Sequence, residues 1–360
     1  MNMKIGILSM QKIPNYGSFL QALSLKKQME LRGHDVYFID IVPGRKIVTS
    51  DVETTDWSKK FDRYFLKRVE NFFFYKKMRA IHTEDYEVYL QTDKIPEDGK
   101  FDLVIIGSDE VFNATCPTPW GFSTQLFGNI PNAERIVTYA ASCGTTTYEE
   151  AQKYGIVNEI VENLSHVVSL SVRDENSYDF IRKIDGRAPL IHLDPVFISD
   201  FDEFIPSIKI RKPYLLVYAY ENRISDPEEI QQIKDYAREN KLQIISVGMQ
   251  QRWCNHNIKA SAFELLGYVK NADCIVTDTF HGTVFSIKYN KPFATIIRES
   301  NRNKLHYLLK SFDLDVREVT HANGLSKILQ TPISYKAVNL KIDAERKRTS
   351  DYFDLILKGL

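Results

Sequence analysis

Asp273-Cys-Ile-Val-Thr-Asp-Thr-Phe-His281-Gly282-Thr-Val-Phe-Ser-Ile-Lys-Tyr-Asn-Lys-Pro292 is the stretch from which the fold can be read. Its residues 274–277 are a short, β-branched apolar run. Residues 283–289 have helical spacing closed by Asn290 and Pro292, so the pattern predicts a strand, a tight turn and a helix. A further strand follows over 293–297. In an open α/β sheet ligands gather at the carboxyl ends of strands, where the free N–H groups of the next helix attract anions. His281 falls at that edge, and Gly282 lets the backbone approach a ligand because no Cβ intervenes. A lone histidine there can equally cap a helix. The strand-end position and the adjoining glycine favour a functional role.

Upstream of this stretch the same alternation runs through a strand at 214–219, a helix near 227–240, a strand at 243–247 and a helix near 260–271. The first half of the chain shows a second such series. It opens with a strand at 4–9, the loop Pro14-Asn15-Tyr16-Gly17-Ser18, a helix at 19–31 and a strand at 35–41. Asn15 and Gly17 before a helix again place backbone donors at a strand end. No GxGxxG follows the first strand, which disfavours a dinucleotide. Residues 101–106 form a strand running into Gly107-Ser108-Asp109-Glu110. Carboxylates and a hydroxyl there suit sugar-hydroxyl recognition or proton abstraction, although Ser-Asp pairs also make turns and caps. After a strand at 136–142 and a helix at 149–164, a strand at 167–172 delivers Arg173. Its planar fork matches carboxylate or phosphate, the plain alternative being an ion pair with Asp174 or Glu175. Pro206 and Pro213 flank a polar connector between the two series. Residues 344–357 form an amphipathic helix that needs a surface to cover.

The composition is that of an ordinary globular protein: 360 residues, 43% hydrophobic and 26% charged. Lys+Arg 47 against Asp+Glu 47 leaves no global field for nucleic acid, so an anion has to be held by a local cluster. Cys116, Cys143, Cys254 and Cys274 are scattered, and no cysteine or histidine stands at metal-ligand spacing, so a reducing cytoplasm, no metal and no resident cofactor are expected. The N-terminus reads directly as a strand, with too short an apolar run for a signal peptide. Within 57–81 the pattern changes: residues 59–79 hold eight Lys/Arg against two Asp/Glu, interleaved with aromatics. Such a basic amphipathic helix can lie on an anionic bilayer, or it can pack its aromatic stripe on its own domain.

Taken together, Asn15-Tyr-Gly with Leu20-Gln-Ala, Gly107-Ser-Asp109, Ser171-Val-Arg173-Asp, Asp194-Pro, and Asp278-Thr-Phe-His281-Gly with Asn290-Lys-Pro292-Phe resemble the polysaccharide pyruvyl transferase family, over nearly the whole chain. The resemblance implies a glycosyltransferase-B-like (GT-B) α/β fold: two Rossmann-type domains with parallel sheets facing across a cleft. Domains are expected at 1–200, the acceptor side, and 201–343, the donor side, with a terminal helix at 344–360 packing back on the first. It further implies phosphoenolpyruvate as donor and two hexose hydroxyls, galactose among the candidates, as acceptor. The products are a pyruvate ketal and inorganic phosphate, in capsular or exopolysaccharide biosynthesis. Acceptors of this kind are often lipid-linked, which would give the basic segment a reason to meet the inner face of a plasma membrane. His281 is expected as general acid and Asp109 as base. Arg173, Asn15, Tyr16, Gly17, Ser108, Asp278, Thr279, Gly282 and Arg302 are expected to bind substrate. One departure stands out: many members carry an arginine two residues before the histidine, where this chain has Thr279. Arg298, Arg302 and Lys304 are the nearest cations in sequence to replace it. That departure keeps two alternatives open, a GT-B glycosyltransferase with a nucleotide-sugar donor and a non-catalytic carbohydrate- or anion-binding protein.

Overall fold

The computed structural model describes residues 2–47, 65–92, 94–115, 118, 120–210, 212–320 and 324–359, with the backbone alone for 65–70. Strands β1 (Lys4–Leu8), β2 (Asp35–Ile39), β3 (Leu103–Gly107), β4 (Ile136–Tyr139) and β5 (Val167–Ser169) form one sheet in the order β2-β1-β3-β4-β5, with every pair parallel. Beside it, β6 (Ser171–Val172) pairs with β7 (Leu190–Ile191). Strands β8 (Tyr214–Tyr218), β9 (Gln243–Val247), β10 (His256–Ile258), β11 (Cys274–Thr277) and β12 (Phe293–Thr295) form a second parallel sheet in the order β10-β9-β8-β11-β12. β3, β8 and β11 are buried along their whole length, as expected of strands covered by helices on both faces. Each sheet reverses its winding direction once, between β1 and β3 in the first lobe and between β8 and β11 in the second. Those are the points where open α/β sheets form a crevice beyond the strand ends.

The helices are α1 (Tyr16–Glu30), α2 (Phe65–Asp85), α3 (Tyr148–Lys153), α4 (Val157–Leu164), α5 (Glu175–Asp185), α6 (Pro227–Glu239), α7 (Ala262–Asn271), α8 (Phe280–Lys288), α9 (Arg302–Ser311), α10 (Leu325–Gln330) and α11 (Tyr335–Lys358). The single helix expected at 149–164 is two, α3 and α4, because Gly155 adopts φ 65 between them. The strand expected at 167–172 breaks after Ser169. β6 leaves the main sheet for β7, and that step aims Arg173 into the interior. α8 starts earlier than the apolar spacing suggested: Thr279 caps it by accepting the Gly282 N–H at 2.9 Å, so His281 lies in the first helical turn and not in a turn before it.

One buried apolar cluster runs without interruption from the first lobe to the second, taking in Ile5, Phe19 and Leu25 together with Leu216, Phe263 and Phe285. The outer faces of the two sheets carry separate clusters. α11 begins on the second lobe, where Lys341 meets Asp313 at 2.6 Å, and ends on the first. There the Tyr352 hydroxyl donates to Thr138 O at 2.8 Å, and the Phe353 ring lies 4.7 Å from that of Tyr139. α11 starts at Tyr335, well before 344; its first turns present Tyr335, Val338 and Ile342 to the core and leave Leu340 exposed, which blurs the apolar period there.

Of the basic aromatic segment, residues 57–64 lie outside the described residues, as does Cys116. In the described part of α2, Phe74 and Met78 are buried, whereas Phe72, Phe73, Lys76, Lys77 and Arg79 are exposed. α2 also bridges the lobes: Asn71 Nδ2 donates to Glu221 Oε1 at 2.9 Å, and Asp85 Oδ2 accepts the Ala262 N–H at 3.1 Å. No helix among the described residues is long and apolar enough to cross a membrane.

Candidate active site

The two crevices face each other and enclose a cavity of about 320 Å³. The first lobe contributes Asn15 and Ser18 after β1, Asp109 and Glu110 after β3, and Arg173 after β6. The second contributes Tyr220 and Arg223 after β8, Thr279, Phe280 and His281 after β11, and Asn301 and Lys304 beyond β12. Every one of these follows the carboxyl end of a parallel strand, the edge at which such sheets bind ligands.

Arg173 is almost wholly buried, with its face 4.2 Å from the Phe280 ring and its Nη1 donating to Asp194 Oδ2 at 2.9 Å. Its Nε and Nη2 have no hydrogen-bond partner in the protein. Those two N–H groups point in parallel from one edge of the guanidinium, the geometry that grips a carboxylate or phosphate with two bonds. Burial alone would weaken the Arg173 charge, yet Asp194, Asp109 and Asp174 hold its pKa above the usual value. His281 approaches from the other lobe, with Nε2 3.4 Å from the same Asp194 oxygen. Burial works against ionisation of Asp194, but His281 and Arg173 overcome it and hold the group at about 2. Asp194 therefore stays charged and joins a first-lobe arginine to a second-lobe histidine.

His281 fits only because position 17 is glycine: a Cβ there would stand 2.0 Å from its Nδ1. Asn15 caps α1 by accepting the Gly17 N–H at 2.8 Å and reaches across the cleft to donate to the Tyr220 hydroxyl, also at 2.8 Å. Asp109 has φ 66 and accepts the Ser18 hydroxyl at 2.5 Å, so its carboxylate is held at the cavity wall. Glu110 accepts from Lys304 across the cleft at 2.5 Å. Burial opposes its charge, but Lys304 and Asn113 hold it at about 2.

Of the catalytic and binding residues expected from sequence, the fold brings Asn15, Asp109, Arg173, Thr279 and His281 to the cavity. Others are corrected. Tyr16 is buried as an inter-lobe peg, its hydroxyl donating to Ala260 O at 2.6 Å and its ring packed where a Gly248 Cβ would stand. Ser108 is buried behind the cavity, its hydroxyl 3.3 Å from Asp194. Gly17 and Gly282 serve close packing, the first under His281 and the second against Thr277 and Thr279. Asp278 is buried behind Arg223, 3.0 Å from its Nε, and burial pushes its carboxyl up to about 6. Arg302 turns to the surface and pairs with Glu299 at 2.8 Å. Lys304, two residues along α9 and so roughly 200° round the helix, takes the inward place. Arg298 is tied to both oxygens of Glu229, at 2.8 and 2.6 Å. Arg223, Tyr220 and Asp194 were not singled out as site residues. Arg223 and Tyr220 follow the carboxyl end of β8, so applying the strand-end rule to that strand too would have found them.

Two Rossmann-type lobes with a polar cleft between their strand ends make a GT-B-like architecture. A family model described as polysaccharide pyruvyl transferase matches residues 15–301, and the chain belongs to that family. No curated protein sequence matches the chain. Among solved structures, the chain is similar to the Streptomyces sp. SF2575 glycosyltransferase SsfS6, complexed with thymidine diphosphate. The TM-score is 0.52 at 13% identity, covering 99% of this chain and 100% of that one. It is similar to Arabidopsis thaliana UGT89C1 complexed with UDP-L-rhamnose, with TM-score 0.52 at 11% identity, covering 98% of each chain. At such identities the likeness concerns the fold alone.

Proposed function

We propose that the protein transfers pyruvate from phosphoenolpyruvate to two hydroxyls of a hexose, forming a pyruvate ketal and releasing inorganic phosphate. The observation that carries this proposal is the unbonded Nε–Nη2 edge of Arg173, buried beside His281 in a shared cavity. Arg173 holds the donor carboxylate. His281 delivers a proton to C3 of the enol phosphate, which makes C2 electrophilic. One sugar hydroxyl adds its oxygen to C2 while Asp109 takes its proton. The C2–O bond to phosphate then breaks, the pair leaving with phosphate, and the second hydroxyl closes the ring. Of the two hydroxyl protons, one replaces that spent on C3 and the other leaves with phosphate.

The acceptor we propose is a galactosyl unit of a lipid-linked glycan, met on the cytoplasmic face of a membrane. We assign 1–200 to the acceptor side, 201–343 to the donor side and 344–360 to a strap between them. Exposed Phe72 and Phe73 beside Lys76, Lys77 and Arg79 support a peripheral membrane contact, each basic residue near an anionic surface contributing about 1 kcal/mol. Replacing those three cations by serine is expected to abolish sedimentation with phosphatidylserine vesicles. Wild-type protein that never co-sediments refutes the contact.

The activity is tested by incubating the protein with phosphoenolpyruvate and a panel of galactosyl acceptors, reading phosphate release and the mass gain of one pyruvyl group. His281→Ala should remain folded and lose about 10²–10⁴ in rate. Sugar transfer from a nucleotide sugar with no use of phosphoenolpyruvate refutes the proposal. A His281→Ala enzyme keeping more than about a tenth of the rate removes histidine as the acid.

A further inference from the structure

Resting on that donor assignment, we infer that Arg223, with the Ser300 hydroxyl and Lys304, forms a phosphate subsite on the second lobe. Phosphoenolpyruvate then spans the cleft, carboxylate on Arg173 and phosphate on Arg223. Arg173 has room for one anionic group only: Phe280 covers its face, Asp194 takes its Nη1, and a single edge is left. The donor carries two anionic groups, so the second needs a separate cation in the same cavity.

Arg223 meets that need by position and by restraint. β8 and β11 are paired in parallel with Tyr218 opposite Thr277, so the residues just past both strands are neighbours. Arg223 thus reaches the region next to Thr279 from the adjoining strand. The Thr279 hydroxyl itself is occupied, accepting the Gly282 N–H at 2.9 Å and bonded to Thr277 at 3.1 Å. The guanidinium plane is fixed on three sides. Nε lies 3.0 Å from buried Asp278, Nη2 donates to Ser300 Oγ at 3.0 Å, and the Tyr220 ring lies 5.3 Å away. A carboxylate buried behind a half-buried arginine adds little net stability, which suits a pair kept for orientation. Lys304 stands at the other margin of Phe280, 6.0 Å from the ring, with Glu110 as its partner and further N–H donors on the same ammonium. Among the described basic residues after β12, Arg298 and Arg302 do not line the cavity: the first is tied to Glu229 and the second to Glu299.

The test uses calorimetric titration of the full chain with phosphoenolpyruvate, inorganic phosphate and pyruvate separately. Because Arg223→Gln leaves buried Asp278 without its cation, the double variant Arg223→Gln/Asp278→Asn is measured beside it. Both should weaken phosphate and phosphoenolpyruvate by about tenfold or more and leave pyruvate within about twofold, whereas Arg173→Gln should weaken pyruvate. Phosphate binding unchanged in both Arg223 variants, or absent from the wild type, overturns the subsite. So does an equal loss of pyruvate. The two proposals fail separately. Phosphate binding that depends on Arg223 without turnover of phosphoenolpyruvate leaves the subsite and removes the donor; turnover unaffected by Arg223→Gln removes the subsite alone.

Discussion

Replacing Gly17 by alanine would place a methyl carbon 2.0 Å from Nδ1, 2.1 Å from Cγ and 2.5 Å from Cε1 of His281. Carbon contacts normally lie at about 3.5–4.0 Å, so the ring has to retreat by roughly 1.5 Å. Turning the ring about its Cβ–Cγ bond does not help, because Cγ is itself in the clash. Phe280 and Phe285 flank the ring at 5.3 and 6.1 Å between centroids, so it moves as a body or the lobes part. Two terms of opposite sign act on stability. Alanine in place of glycine favours a helix by up to about 1 kcal/mol, less in the first turn where Gly17 sits, whereas overpacking costs about 1–3 kcal/mol. The net loss is about 0–3 kcal/mol, a shift of a few degrees in Tm. Catalysis is far more sensitive, since misplacing a reacting group by 1 Å costs about a hundredfold. Gly17→Ala should therefore melt near the wild type yet lose about 10² in kcat, read by phosphate release beside calorimetric melting. A kcat within about threefold of wild type would refute the idea that Gly17 sets the histidine position.

Two other perturbations address the joint between the lobes. Tyr16→Phe leaves the buried Ala260 carbonyl without its donor and should cost about 1–3 kcal/mol with little change in donor KM; a raised KM at unchanged Tm would return Tyr16 to the substrate site. Burial raises Asp85 to about 6, above its unfolded value near 3.9, so its contribution to stability is greatest below about pH 4, falls as pH rises to 6, and is level above. Asp85→Asn should accordingly raise Tm at pH 8 and not at pH 4, and an equal change at both values refutes the assignment.

The central strands were legible because each is a short run dominated by apolar residues: Gln243–Val247 appears at the expected bounds, and β3, β8 and β11 where the pattern placed them. β10 was not, since His256-Asn-Ile258 has no apolar period and owes its place to pairing with β9. The places of Arg173 and His281 in the cleft were suggested by their positions at strand ends. Their common partner Asp194 was not, because its contact with His281 joins different lobes and exists only after both have folded. Arg223 was missed for a different reason: Tyr220-Glu-Asn-Arg223 reads as a polar surface turn unless the strand-end rule is applied to β8 as well. Arg302 and Lys304 are two positions apart on one helix, and only the packing of α9 decides which faces inward.

The lobes are joined by a reciprocal exchange of rings and glycines. His281 of the second lobe rests on Gly17 of the first, and Tyr16 of the first rests on Gly248 of the second. Each contact tolerates no extra carbon, so the spacing between the sheets is fixed at two points on either side of the α1 N-terminus. That spacing brings His281 to 3.4 Å from the oxygen that also receives Arg173. The cleft does not attract anions by net charge: Arg173, Arg223 and Lys304 face Asp109 and Glu110, with Asp194 and Asp278 close behind. What remains for an anion is a set of fixed donors whose charges are already balanced by carboxylates. Donors of this kind act over hydrogen-bond distances and not through a long-range field, so binding should depend strongly on their alignment and weakly on ionic strength. On the proposed mechanism the inter-lobe spacing would itself be part of the catalytic apparatus, because it sets the alignment.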